Sequence, residues 1–339
     1  MASIGDVAKL AGVSRSTVSL VCNNKGYVSD ETRKKIEKAM KELNYIPSEL
    51  GRNLKMQKSG IVGIIVPDIA HPFFSTFIKY AEKELYSRGY KALVCGTAGR
   101  EDVEEAYLQM LDRRTMDGVI MGAHSLKKER YLKIDRPIVT IDCYLADYIP
   151  TVHVDKRQVA EKAASLFLEK NRKKVVQLVS SHTIKNYENE KEQLFHELLE
   201  KQGCEVVDIS IGYNTFTAEG YKDAAERIFE ECSDMDGIFG VDMAAIACLR
   251  EAKLRKLKVP EELSIVSIDG TYITKLGPEI LTSIVQPIEK MAKKLVSMII
   301  LQIEGKQVEE IKAIFDVEIQ DGETCYFSTK LLSLICRKL

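Results

Sequence analysis

A small all-α unit followed by an α/β body of two parallel-sheet lobes is the architecture this sequence predicts, and three observations carry the prediction. The chain has 339 residues, more than one compact core usually organises. Charge is divided along it: residues 1–60 hold 11 Lys and Arg against 6 Asp and Glu, a net +5. The remainder holds 38 basic and 44 acidic residues, so a net of -1 conceals a basic head on an acidic body. The hydrophobic pattern also changes near Gly60, from helical spacing to short β-rich runs alternating with longer amphipathic segments.

Within the head, Ile4, Val7, Ala8 and Leu10 follow helical spacing, and Gly12 supplies a permissive turn. Ser14 is an N-cap for a second helix over 15–23, with Val18, Val21 and Cys22 facing inward and Arg15, Ser16, Ser19 and Leu20 outward. Ser29 caps a third helix, acidic in its first turn, whose Ile36, Met40 and Leu43 form one stripe; Pro47 bars its continuation. A basic unit of this size either presents a solvated surface or suits a polyanion, whose phosphates release counterions when neutralised.

In the body, strands are predicted at 61–66, 92–95, 119–121 and 138–141, then at 175–179, 206–209, 238–241 and 265–268. Helices are predicted at 77–87, 103–111, 159–169, 190–200, 218–230 and 244–252. Residues 116–121 (MDGVIM) and 235–239 (MDGIF) occupy equivalent places in the two series, so the lobes are related. Asp68, Asp142, Asp242 and Asp269 each follow a predicted strand, at the carboxyl edge where open α/β sheets bind ligands. Each is either a hydrogen-bond acceptor for a polyhydroxylated ligand or a turn-former or helix cap.

Several function classes are excluded. No apolar run approaches the ~18 residues of a membrane span, and no charged leader precedes an apolar stretch, so a cytoplasmic protein is expected. The eight cysteines lack metal-ligand spacing and read as small buried hydrophobes. The histidines, His71, His124, His153, His182 and His196, show no H-x-x-x-H spacing and read as surface or loop residues. Neither G-x-G-x-x-G nor G-x-x-x-x-G-K-[ST] occurs, so no enzyme, cofactor, metal or catalytic residue is expected.

The stretch Ile4 to Ser19 (IGDVAKLAGVSRSTVS) with 28–33 (VSDETR) closely resembles the head of the lactose/galactose repressor (LacI/GalR) family. The resemblance continues through 42–48, 51–55, 64–68 and 72–74 and weakens after about residue 145. It implies a helix-turn-helix DNA-binding domain at 1–46 and a hinge helix or linker at 47–59. A periplasmic-binding-protein-like effector and dimerisation domain follows at 60–325. Its lobes would be about 60–158 with 286–316 and about 159–285 with 317–325, leaving a tail at 326–339 that is either a further helix or a loosely ordered end.

By the same resemblance, the second helix lies in the major groove, with Arg15, Ser16 and Leu20 facing bases and Thr17, Ser19 and Asn23 facing phosphates. Leu54 is a minor-groove wedge with Lys55 beside it. Leu20 replaces an arginine common in the family, so only apolar contact, for example with a thymine methyl, remains there. Gly51 replaces a common alanine, at a helix-propensity cost of about 1 kcal/mol. Asp242 and Asp269 align with pocket motifs, Phe74 either stacks on the ligand or belongs to the core, and Lys191 stands where an arginine is usual. Val241 replaces a common asparagine. The implied function is a homodimeric transcriptional repressor of carbohydrate-related genes, bound to a palindromic double-stranded operator and controlled by a sugar or sugar phosphate. A protein co-effector, or a solute-binding protein with no DNA role, are the alternatives.

Overall fold

A computed structural model describes residues 2–23, 26–46, 58–122, 124–142, 144–179, 188–211 and 217–326. The predicted hinge centre, with Leu54 and Lys55, and the tail from 327 onward lie outside the described residues. The chain divides into two compact units, Met1–Ser59 and Gly60–Leu339.

In the first unit, α1 (Ile4–Ala11) opens with a capping box: Asp6 N–H donates to Ser3 Oγ, while the Asp6 carboxylate accepts from Ser3 N–H at 2.8 Å. Gly12 closes it in the left-handed region at φ 67°, a conformation that only glycine adopts without strain. Ser14 starts α2 (Arg15–Cys22), its Oγ accepting from Thr17 N–H at 3.1 Å, and Ser29 does the same for α3 (Asp30–Glu42). Val7, Ala8, Val18, Val21, Ile36 and Ala39 form the buried core; Met40, Leu43 and Cys22 pack at its edge. The third helix stops well before Pro47. Asn44 turns left-handed at φ 47° and Tyr45 N–H returns to Met40 O at 2.8 Å, so the αL turn ends the helix.

The second unit holds two sheets of six strands each among the described residues. The first comprises β1 (Ile61–Val66), β2 (Lys91–Gly96), β3 (Gly118–Met121), β4 (Ile138–Ile141), β5 (Thr151–Val154) and β11 (Lys312–Phe315), all paired in parallel in the order β11-β5-β4-β3-β1-β2. The second comprises β6 (Lys174–Val179), β7 (Glu205–Ser210), β8 (Gly237–Val241), β9 (Ser264–Asp269), β10 (Thr282–Val285) and β12 (Glu318–Gln320), in the order β12-β10-β9-β8-β6-β7. Only β12 runs antiparallel, against β10.

Period-two alternation sorts side chains between faces. Val62, Ile64 and Val66 of β1 join the cluster covered by α4 (Pro72–Ser87) and α11 (Ile288–Ile303). Ile65 points to the opposite face, under α5 (Glu101–Asp112) and α6 (Lys128–Leu132). The second sheet is covered by α7 (Lys156–Glu169) and α8 (Glu188–Glu200) on one face, and by α9 (Ala218–Glu231) and α10 (Asp242–Leu254) on the other. The chain crosses between lobes after β5, after β10 and after β11.

The predicted strands match within a residue at each end. The sequence reading omitted β5, β10, β11 and β12 and the helices α6 and α11, and it started α4 five residues late, because Pro72 at the first helical position precedes any readable periodicity. One expectation is corrected: His153 is buried within β5, its Nδ1 lying 2.9 Å from Val154 O, whereas His71, though buried, is the loop residue expected and His182 lies outside the described residues. Of the cysteines, Cys95, Cys204, Cys232, Cys248 and Cys325 are buried free thiols.

Candidate functional site

Two places gather the predicted site residues. On the head, burial of Val18 and Val21 fixes which face of α2 remains outside, leaving Arg15, Ser16 and Leu20 exposed. The Arg15 side chain runs back across Gly5 of α1. Ser16 and Thr17 hydroxyls cluster with Ser14 at 2.6 and 2.8 Å, and Asn23 Nδ2 donates to Ser19 O at 2.7 Å and to its Oγ at 3.2 Å. These polar side chains are thus held in place before any partner arrives. Leu20, 38% exposed, rests against Gly26, whose φ of 72° turns the chain away. The sequence reading missed Tyr27, which is 93% exposed beside that turn. Its signal was an aromatic outside every periodic segment, two residues before the Ser29 cap.

In the body, strand ends converge on a polar cleft. β9 ends at Asp269, held at φ 105° and 6% exposed, with its Oδ1 accepting from Gln286 Nε2 at 2.8 Å. Burial pushes this carboxyl well above the ordinary carboxylate range; the charge of Asp242 adds to the rise, while Gln286 and Lys191 oppose it. Asp142, at the end of β4 and at φ 53°, also lies within electrostatic reach of Asp269. Its Oδ1 accepts from the buried Lys156 Nζ at 2.6 Å, an ion pair that the sequence reading did not find.

Asp242 is only 2% exposed, and its oxygens are engaged within the protein. They accept from Thr271 N–H and Oγ1 at 2.7 Å each, from Gly270 N–H at 3.3 Å and from Ser283 Oγ at 3.4 Å. Burial raises its pKa against the lowering effect of these donors. This carboxylate therefore shapes the turn after β9. Asp68 caps a turn of its own, accepting from Ala70 N–H at 2.7 Å just before α4. Phe74 is half-buried, stacked edge-on to Phe73 with ring centroids 5.3 Å apart, and packed over Gly122.

Tyr221 on α9 faces both Asp269 and Asp68 electrostatically, and its hydroxyl is buried without a partner among the described residues. Burial pushes that phenol far up. His71, whose ring centroid lies 5.6 Å from that of Phe74, is pushed down to about 4 by burial and is neutral at pH 7. Beside Gln286 opens a cavity of about 650 Å³ walled by Thr76 and Tyr80 of α4, by Thr271 and Tyr272, and by Lys290. Gln286 Oε1 and Thr76 Oγ1 are buried there with no partner among the described residues. Buried polar groups left open suit a hydroxylated ligand that both donates and accepts. Lys156, Tyr221 and Gln286 carried no sequence signal, being single residues whose partners are distant in the chain.

A model of bacterial regulatory proteins of the lacI family matches residues 3–48, and a periplasmic binding protein-like domain matches residues 164–325. The sucrose operon repressor of Streptococcus mutans is 34% identical over 325 residues, 96% of this chain and 99% of its own. The ribose operon repressor of Halalkalibacterium halodurans is 33% identical over 96% of this chain and 97% of its own. The repressor CytR of Escherichia coli is 29% identical over 94% of both. Among solved structures, the Lac repressor dimer bound to operator and the anti-inducer ONPF superposes with TM-score 0.81 at 20% identity, covering 95% of this chain and 98% of that one. A periplasmic binding protein/LacI regulator from Alkaliphilus metalliredigens complexed with D-xylulofuranose gives TM-score 0.70 at 24% identity, covering 79% and 100%.

Proposed function

We propose that the chain, which belongs to the lacI family of bacterial regulatory proteins, is a homodimeric transcriptional repressor whose hold on a palindromic operator is set by a small hydroxylated effector. The observation that carries the DNA reading is the division of α2: two fully packed valines on one face leave a preset polar edge on the other. An edge with that helix in the major groove matches donors and acceptors to base pairs, while hydroxyls and helix-start amides hold phosphates. Arg15, Ser16 and Leu20 read bases; Thr17, Ser19 and Asn23 hold the backbone, joined by the exposed Tyr27. Leu54 and Lys55 act in the minor groove as the hinge segment 47–59 engages DNA.

The effector occupies the cleft where Asp68, Asp142, Lys191 and Asp269 converge, with Asp242 framing the site and Phe74 forming a wall. Sucrose and ribose operon repressors are among the similar proteins, and a sugar or sugar derivative suits the open hydroxyl and amide groups at Tyr221 and Gln286. Because a ligand shifts an equilibrium only through its differential affinity for two states, the cleft must change with the repressor's DNA-binding state. No catalytic step is involved, and the site of action is the cytoplasm. No helix among the described residues is long and apolar enough to cross a membrane.

The test is binding of the full-length protein to duplexes selected from a random pool, followed in fluorescence anisotropy while salt is varied. The expected result is a palindromic consensus bound at least ~1,000-fold more tightly than random DNA, with affinity falling steeply in salt. Indifference to sequence at every salt concentration overturns the reading.

A further inference from the structure

Gly5 occupies the first turn of α1, keeps a negative φ and therefore needs no glycine for its backbone. Glycine weakens a helix relative to alanine, so its presence there asks for a steric cause. The cause lies in α2. A Cβ on Gly5 would stand 2.9 Å from one terminal nitrogen of Arg15, 3.0 Å from Nε and 3.2 Å from Cζ. Three atoms of the guanidinium lie within 3.2 Å of that position, so the end of the Arg15 side chain rests against α1 at Gly5. Asp6, fixed in the capping box, lies within electrostatic reach of Arg15.

The seating matters because of what α2 lacks. Its exposed positions are Arg15, Ser16 and Leu20, and Leu20 offers only carbon. Arg15 is therefore the one side chain of α2 with a planar pair of donors suited to the two acceptors of a guanine edge. A long side chain loses rotamer freedom on binding; one whose end already rests against a neighbouring helix loses less. We infer that Gly5 is a specificity-determining positioning residue, whose missing side chain seats the Arg15 guanidinium for bidentate recognition of one guanine in each operator half-site. The inference rests on the repressor reading above.

The experiment selects binding sites from a random duplex pool with the full-length protein, with Gly5→Ala, with Arg15→Lys and with the double variant Gly5→Ala/Arg15→Lys. The unaltered protein is expected to fix one G·C pair per half-site. Gly5→Ala is expected to bind that site about tenfold more weakly and to accept other pairs at that step. Arg15→Lys is expected to relax the same step, and the double variant to lose no more than Arg15→Lys alone. Thermal unfolding of Gly5→Ala is expected to stay level or rise, since alanine favours the helix, which separates lost recognition from lost folding. Unchanged affinity and consensus in Gly5→Ala overturn the inference. So does a uniform loss across all sequences in Arg15→Lys, which marks a phosphate contact instead. If the unaltered protein selects no site at all, the failure belongs to the operator reading beneath it.

Discussion

In the first lobe, Asp117 N–H donates to Ile61 O while its carboxylate accepts from Gly60 N–H at 2.8 Å; in the second, Asp236 N–H donates to Lys174 O while its carboxylate accepts from Lys173 and Lys174 N–H. Both aspartates precede a glycine that opens the third strand of its lobe, and both follow a buried methionine, Met116 or Met235. At the opposite strand ends the lobes part company. Asp142 and Asp269 share a positive φ at the close of β4 and β9, yet Asp142 meets a buried lysine and Asp269 a neutral amide. The carboxylate at the end of β4 is thus balanced by a charge from α7, the first helix after the chain leaves that lobe. The second lobe leaves Asp269 beside another buried carboxylate, Asp242, so burial and like charge hold its proton against Gln286 and Lys191.

Four experiments bear on that contrast. The largest effect is expected from Asp242→Ala, which strips the acceptor from Thr271 and Ser283 inside the second lobe; a loss of about 3–4 kcal/mol in urea unfolding is expected. A loss below ~1 kcal/mol means the turn after β9 does not depend on it. Next, Lys156→Met leaves Asp142 without its cation and is expected to cost about 2–3 kcal/mol, most of it recovered when Asp142→Asn is added. Failure of the double variant to recover removes the charge balance assigned to Asp142 and Lys156.

The third pair examines the likeness. Gly118→Ala would push a Cβ to 2.9 Å from Ile299 Cδ1, and Gly237→Ala to 2.9 Å from Phe167 Cδ1, so similar losses of about 1–3 kcal/mol are expected. A large loss in one lobe with none in the other would separate two positions that share a sequence motif. The smallest effect concerns pH. Asp269 has a folded-state pKa above its ordinary 3.8, so between the two values the folded protein retains a proton that the unfolded chain has released. Stability from this group is complete at low pH and declines as pH rises through that interval. Asp269→Asn is expected to remove the decline and to be the more stable form at pH 7; a decline identical to that of the unaltered protein would place its origin elsewhere.

Much of this fold was legible because its strands are continuous apolar runs and its helices carry capping serines and clear periodicity. Ile61–Val66 is apolar apart from one glycine, and Ser14 and Ser29 mark the starts of α2 and α3 without help from tertiary structure. What escaped has little local signature. β11 and β12 are sheet-edge strands, partly exposed, whose residues alternate too weakly to announce a strand, and Thr151–Val154 is short and interrupted by His153. The head surface was readable because one helix carries nearly all of it. In the cleft the aspartates could be found from their strand ends, but their partners could not: Lys156 is 14 residues from Asp142, and Gln286 is 17 from Asp269.

Gln286 stands at the second of the three passages between lobes, where it grips Asp269 by both side chain and main chain. A pivot is the place where a small push has the greatest leverage. Atoms near the axis barely shift when one half of a hinged body turns, whereas those at the outer rim travel in proportion to their distance from it. A molecule that tightens or loosens the Gln286 grip need therefore move little to be felt far away.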